Sequence, residues 1–202
     1  MPICVKICGV TRVEDAEAAV TLGADLIGLN FYTPSPRCLS IADARAICDA
    51  VSGRARLVGV FVNAARDVIE KRVRELGLDM IQLHVEDSDA LAGWPVPVIH
   101  ALSLRPGEQV PELGGTRADY ILLDSFRPGL YGGTGVARPL DDLTGADLSR
   151  VFIAGGLTPG NVAAAAALKP YAVDVASGVE SAPGVKDHQK LRSFIANAKS
   201  SR

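Results

Sequence analysis

The stretch that decides the fold is Ile3-Cys4-Val5-Lys6-Ile7, ended by Cys8-Gly9. Side chains alternate faces along a strand, so Cys4, Lys6 and Cys8 share one face and Ile3, Val5 and Ile7 the other. The aliphatic face suits packing under helices. The face with a cation and two thiols is a poor plain core. Cys8 holds the last strand position before the Gly9-Val10-Thr11 turn. In a barrel of parallel strands, chemistry is placed at that end.

Working outward, seven further apolar runs read as buried strands, at 26–31, 57–62, 80–84, 96–101, 120–124, 151–154 and 172–176. Helical segments separate them. Thr11-x-x-Glu14 reads as a capping box before a stripe of Val13, Ala16, Ala19 and Val20. Ser40-x-x-Asp43 opens a second helix with Ile41, Ala44, Ile47 and Val51 on one face. Asn63 suits the N-cap of a third, with Val68, Ile69, Val73 and Leu76, which Gly77 ends. A brief helix follows the fourth strand, and segment 103–116, rich in glycine and proline, has a weak helix or none. Thr158-Pro159 reads as N-cap and N1 of a later helix, and Leu191, Phe194, Ile195 and Ala198 line the last one. The long glycine-rich loop 125–139 has the character of a functional lid. Eight strands alternating with helical segments imply an α/β fold, a single (β/α)8 TIM barrel over residues 1–202.

Composition narrows the function. Hydrophobic residues make up 48% and charged residues 22%, a globular balance, and the formal charge of -2 leaves no footprint for nucleic acid or an anionic membrane. No apolar run reaches the roughly 18 residues of a membrane span. The N-terminus lacks the pattern of a signal peptide, so a cytoplasmic location is expected. Cys4, Cys8, Cys38 and Cys48 show neither a C-x-x-C pair nor a metal-type spacing with His84, His100 or His188. Cys4 and Cys8 on one strand stand about 13 Å apart, too far for a disulfide, so reduced thiols are expected.

Asp124 ends the sixth strand as Cys8 ends the first, and it shares a face with Tyr120 and Leu122. Taken alone it suits a turn or an N-cap equally well. If both residues point inward, a thiol and a carboxyl face each other across the barrel mouth, as a general base and a general acid must. Gly155-Gly156 and Ser177-Gly178 follow the last two strands, the usual phosphate site of such barrels. Arg37 reads either as a solvated surface residue or as a bidentate grip on a substrate carboxylate. His84 reads as a hydrogen-bonded structural residue, and His100 and His188 as structural or exposed. Lys6 and Asp174 lie on strands that become neighbours when the barrel closes, which suggests an internal ion pair.

These residues resemble the phosphoribosylanthranilate isomerase family of tryptophan biosynthesis. The resemblance rests on Lys6-Ile7-Cys8-Gly9, Gly28-Leu29-Asn30-Phe31-Tyr32 with Ser35-Pro36-Arg37, and Gly59-Val60-Phe61-Val62-Asn63. It continues through Gln82-Leu83-His84, Leu123-Asp124, Gly132-Gly133-Thr134-Gly135, Ala154-Gly155-Gly156-Leu157-Thr158-Pro159 and Ser177-Gly178-Val179-Glu180. It implies a barrel of the ribulose-phosphate-binding type and an Amadori rearrangement of N-(5-phosphoribosyl)anthranilate, with no cofactor and no metal. It also implies Asp124 as general acid, Cys8 as general base and Arg37 on the anthranilate carboxylate. Gly155, Gly156, Asp174, Ser177 and Gly178 complete the substrate-binding set. The chain departs from the family pattern at Val85, at 136–140 and at Ala176. The related histidine-pathway isomerase carries an aspartate where Cys8 stands, and a non-catalytic or altered-specificity sugar-phosphate-binding barrel is the alternative. The expected partner is a small phosphorylated substrate, with no nucleic acid and no membrane, in a monomer or homodimer.

Overall fold

A computed structural model describes residues 3–104, 116–125 and 140–200. All of the expected lid at 125–139 beyond Ser125, with its Gly132-Gly133-Thr134-Gly135 motif, and most of segment 103–116 lie outside the described residues.

Among the described residues eight strands form the main sheet: β1 (Cys4–Cys8), β2 (Leu26–Asn30), β3 (Arg56–Val62), β4 (Met80–His84), β5 (Val98–Leu104), β6 (Tyr120–Ser125), β7 (Val151–Ile153) and β8 (Ala172–Val175). Each pairs in parallel with the next, and β8 pairs with β1, so the sheet closes into a barrel. The register sets Lys6 beside Leu26 on one flank and Asp174 on the other, and Cys8 beside Gly28. Period-2 alternation then divides the apolar residues between two cores. Leu26, Val58, Met80, Ile99, Leu122, Phe152 and Ala172 fill the barrel interior. Val5, Ile7, Ile27, Leu29, Ile81, Leu83, Ile121, Leu123 and Val173 face outward under the helices.

The helices are α1 (Val13–Thr21), α2 (Ile41–Val51), α3 (Arg66–Leu76), α4 (Val162–Ala167) and α5 (His188–Ser200). Their buried faces match their apolar stripes: Ala44, Ile47 and Val51 in α2, and Leu191, Phe194, Ile195 and Ala198 in α5. Ser40 caps α2 as its sequence predicts, accepting a hydrogen bond from the Asp43 N–H at 3.1 Å. Gly77 ends α3 in the left-handed region at φ 63°. The brief helix after β4 is a 3-10 turn, Ser88–Leu91.

Three expected caps are replaced by other contacts. Thr11 does not cap α1, because its hydroxyl donates to the Gly184 carbonyl at 2.6 Å and the N-cap position falls to Arg12. Asn63 does not cap α3, which begins after Ala65; Asn63 instead turns the chain at φ 46° and donates its N–H to the His84 carbonyl. Thr158-Pro159 opens a turn rather than the helix itself. The Asn161 side chain accepts from the Thr158 N–H at 2.7 Å, and α4 starts only at Val162. In each case a tertiary or turn partner outcompetes the local helix cap.

The barrel floor is closed by side chains. Tyr171 packs against Tyr120 and Phe152, and Arg56 donates to the Tyr171 hydroxyl at 2.8 Å. Aspartates repeat there at the start of strand pairs. Asp25, Asp79 and Asp119 each precede an even strand, and each accepts an N–H from the start of the preceding odd strand (Val5, Leu57 and Val98) at 2.8 Å. β5 begins at Val98 rather than Val96, and Pro97 before it has no N–H to give to a strand ladder.

Candidate active site

At the opposite end of β1, the cation and the Cys8 thiol come together with residues from across the barrel. Lys6 is fully buried, and its Nζ donates to Asp174 Oδ1 at 2.7 Å and to Gln82 Oε1 at 2.8 Å. The expected internal ion pair is present. Cys8 lies two residues along the same inward face, within reach of the Lys6 charge. Gly28 makes room for this thiol, since a Cβ there would lie 2.9 Å from Cys8 Sγ. Burial pushes the Cys8 thiol above its ordinary pKa, Lys6 and Lys186 pull it down, and Asp174 pushes it up again.

The Gln82 amide carries this pattern further. An ammonium only donates, so the Gln82 oxygen must face Lys6, and its NH2 group then faces His84 Nε2 at 3.0 Å. His84 Nε2 is therefore the acceptor and the ring is neutral, with its proton on Nδ1. Burial, the Lys6 charge and His100 lower its pKa to about 4. His84 and His100 line a cavity over the ends of β4 and β5 together with Asn63 and Val85.

A second charged chain leads from the loop after β2 to the C-terminal strap. Residues Glu180–Ala182 (β9) and Val185–Lys186 (β10) form a small antiparallel hairpin between β8 and α5. Arg37 donates from Nε to Glu180 Oε1 at 2.8 Å and from Nη2 to Oε2 at 2.7 Å. Its stem crosses Gly9, where any Cβ would collide with Arg37 Cδ. Lys186, 3% exposed, donates to Glu180 Oε1 at 2.9 Å, to the Cys8 carbonyl at 2.7 Å and to the Ala176 carbonyl at 3.1 Å. It thereby ties together the ends of β1 and β8. Burial opposes the charge on Glu180, but Arg37 and Lys186 outweigh it and hold the carboxyl below its ordinary range.

Between these chains lies a polar depression lined by Asp124, Ala154, Gly155, Gly156, Leu157, Asp174, Val175, Ala176, Ser177 and Gly178. Asp124 is 5% exposed and enters from β6. Gly155 and Gly156 both adopt positive φ, at 81° and 63°, which a side chain would oppose. A Cβ on Gly178 would overlap the Leu157 carbonyl oxygen, so only glycine lets the loops after β7 and β8 touch. Ser177–Val179 forms one 3-10 turn. Glycine backbone without side-chain cover suits an anion such as phosphate.

Residues 5–197 match the family model described as N-(5'phosphoribosyl)anthranilate (PRA) isomerase. The chain belongs to that family. An N-(5'-phosphoribosyl)anthranilate isomerase of Myxococcus xanthus (strain DK1622) is 46% identical, covering 99% of this chain and 98% of its own. The crystal structure of the phosphoribosyl anthranilate isomerase of Thermus thermophilus superposes with a TM-score of 0.86 at 38% identity, covering 99% of this chain and all of its own. Another isomerase of the family, solved in complex with reduced 1-(o-carboxyphenylamino)-1-deoxyribulose 5-phosphate, gives a TM-score of 0.76 at 34% identity and covers 98% of this chain and 99% of its own.

Within that family frame, the sequence-predicted residues fall into two groups. Asp124, Gly155, Gly156, Asp174, Ser177 and Gly178 line one depression. Cys8 and Arg37 stand beside it, linked through Lys186 and Glu180. Asp174 lines the depression while its carboxylate holds Lys6. Sequence reasoning missed Glu180, Lys186 and Gln82 as members of the site. Glu180 and Gln82 lay within quoted motifs, but Lys186 carried no local signal, because two of its three partners are the Cys8 and Ala176 backbone carbonyls at the ends of β1 and β8. Among the described residues, no cluster of His, Cys, Asp or Glu is arranged to hold a metal ion, and no helix is long and apolar enough to cross a membrane.

Proposed function

We propose that the chain rearranges N-(5-phosphoribosyl)anthranilate to 1-(2-carboxyphenylamino)-1-deoxyribulose 5-phosphate in tryptophan biosynthesis, with Asp124 as general acid and Cys8 as general base. The observation that carries this reading is the pair of inward-facing groups on β1 and β6 flanking one polar depression with a glycine floor. Asp124 gives a proton to the ribose ring oxygen as the C1′–O4′ bond breaks, leaving a Schiff base with the anthranilate nitrogen. The Cys8 thiolate takes the C2′ proton, and the electron pair moves toward nitrogen to give an enolamine. Loss of the O2′ proton and protonation of C1′ complete the ketone. The proton count closes: O4′ and C1′ each gain one, and C2′ and O2′ each lose one.

Phosphate sits on the backbone of Gly155-Gly156 and Ser177-Gly178. Arg37 takes the anthranilate carboxylate. Glu180 occupies its Nε and one Nη2 proton, and the remaining fork along Nη1 and Nη2 has the bidentate geometry a carboxylate needs. The chain acts as one catalytic barrel over residues 1–202, as a monomer or homodimer.

The test is the fluorescence decay of freshly generated phosphoribosylanthranilate with wild type, Cys8→Ser and Asp124→Asn. Rapid turnover by wild type and losses of about 10² or more in each variant are expected. Near-normal turnover in either variant removes that residue from its role. A wild type that binds phosphorylated ligand without turnover favours the non-catalytic barrel.

A further inference from the structure

The reading of Cys8 as base meets a physical difficulty. A thiol takes a carbon-bound proton only as thiolate, and burial at the end of β1 disfavours that anion. Charged groups from separate elements act on the sulfur: Lys6 on β1, Asp174 on β8, Lys186 on β10 and Arg37 in the loop after β2. Asp174 repels the anion. All three Lys186 protons are directed at oxygens, namely those of Cys8, Ala176 and Glu180. Arg37 turns its Nε and Nη2 to Glu180. Lys6 differs. Its ammonium carries three protons, of which one goes to Asp174 and one to Gln82.

We propose that Lys6 is the positioning residue for the base, pinned by Asp174 and Gln82 so that its charge is held beside Cys8, on the same face of β1, and stabilises the thiolate. Asp174 has two opposed effects in this arrangement. Its negative charge works against the thiolate directly, yet its hydrogen bond fixes the cation that favours it. The strand register makes this geometry rigid, since Lys6 and Asp174 are paired positions on β1 and β8 and Cys8 lies two residues beyond on the same face. An ammonium with no side-chain exposure loses no strength to solvent screening.

The inference rests on the proposed role of Cys8, so it is tested on the free enzyme, without substrate. The rate of iodoacetamide alkylation is followed against pH by mass spectrometry of the peptide carrying Cys8, which separates it from Cys4, Cys38 and Cys48. Lys6→Met is expected to shift the alkylation midpoint up by about one pH unit or more, which is about tenfold in rate at a fixed pH below it. Asp174→Asn removes the charge while its amide oxygen still accepts from Lys6, so it is expected to shift the midpoint down. A merely structural role for the pair would move both variants the same way or neither, and either result overturns the proposal. Because Lys6→Met leaves a buried carboxylate unpaired, the double variant Lys6→Met/Asp174→Asn is measured as well. Its midpoint is expected above wild type, and a midpoint at or below wild type overturns the proposal. If Cys8→Ser proves active in the turnover assay while these shifts appear, the base assignment fails and the placement of Lys6 stands.

Discussion

Glu180→Ala tests the charged chain that joins Arg37 to the strand ends. The Glu180 side chain is 5% exposed, Lys186 is fully buried and Arg37 is 15% exposed. The substitution removes three charge-assisted hydrogen bonds of 2.7 to 2.9 Å and leaves the Lys186 ammonium buried without its carboxylate. Removing one partner of a buried pair costs about 3–5 kcal/mol, against about 0–1 kcal/mol for an exposed pair. Two of the three Lys186 contacts survive as carbonyls, and Arg37 can turn toward water, so a loss near 3 kcal/mol, the lower end of that range, is expected. Urea unfolding at pH 7 with an unchanged slope measures it. Glu180→Gln is expected to lie nearer to the alanine variant than to wild type, because both oxygens accept from N–H groups and an amide offers one oxygen. The sign with pH follows from the depressed carboxyl. Its stabilisation is complete above the ordinary glutamate value of about 4.3 and is lost as pH falls through its lower folded value. The gap between wild type and variant should therefore hold from pH 7 to about 5 and narrow below about 4. A loss under about 1 kcal/mol at pH 7 would refute the reasoning and class the cluster with surface pairs.

Two further outcomes are expected. His84, with its pKa lowered to about 4, binds no proton in the folded state between there and its ordinary value near 6.5, whereas the unfolded chain does. Stability should fall by roughly 3 kcal/mol as pH drops through that window, and His84→Gln should lose most of that dependence. Nitrogen chemical shifts showing an Nδ1-protonated ring at pH 6 would confirm the tautomer, and an imidazolium there would exclude it. Gly178→Ala places a methyl on the Leu157 carbonyl and forces the two loops apart. It should raise KM at least about tenfold and cost about 1–3 kcal/mol of stability, while an unchanged KM would remove this contact from the phosphate site.

The departures from expectation share a cause. Thr11 and Asn63 look like helix caps because capping depends on local spacing, but both contribute instead to contacts between segments distant in sequence. Ser40 caps its helix as read, since its bond to Asp43 is local and nothing distant competes. The same distinction separates the parts of the site. Cys8 and Asp124 were legible because strand alternation and strand ends are local patterns. Lys186 was not, because its meaning comes from the Cys8 and Ala176 carbonyls, 178 and 10 residues away.

By itself the sequence determined the eight-strand alternation, the inward set of Cys4, Lys6 and Cys8, and the placement of Cys8 and Asp124 at two strand ends. Those follow from side-chain period and from turn residues, which act over a few positions. Only the tertiary structure decided that Lys6 is held between Asp174 and Gln82, that Glu180 orients Arg37, and that Gly178 meets Leu157. These contacts exist only after β8 pairs with β1. Closure of the barrel brings together charges far apart in the chain and removes them from water, where their pairing has its effect.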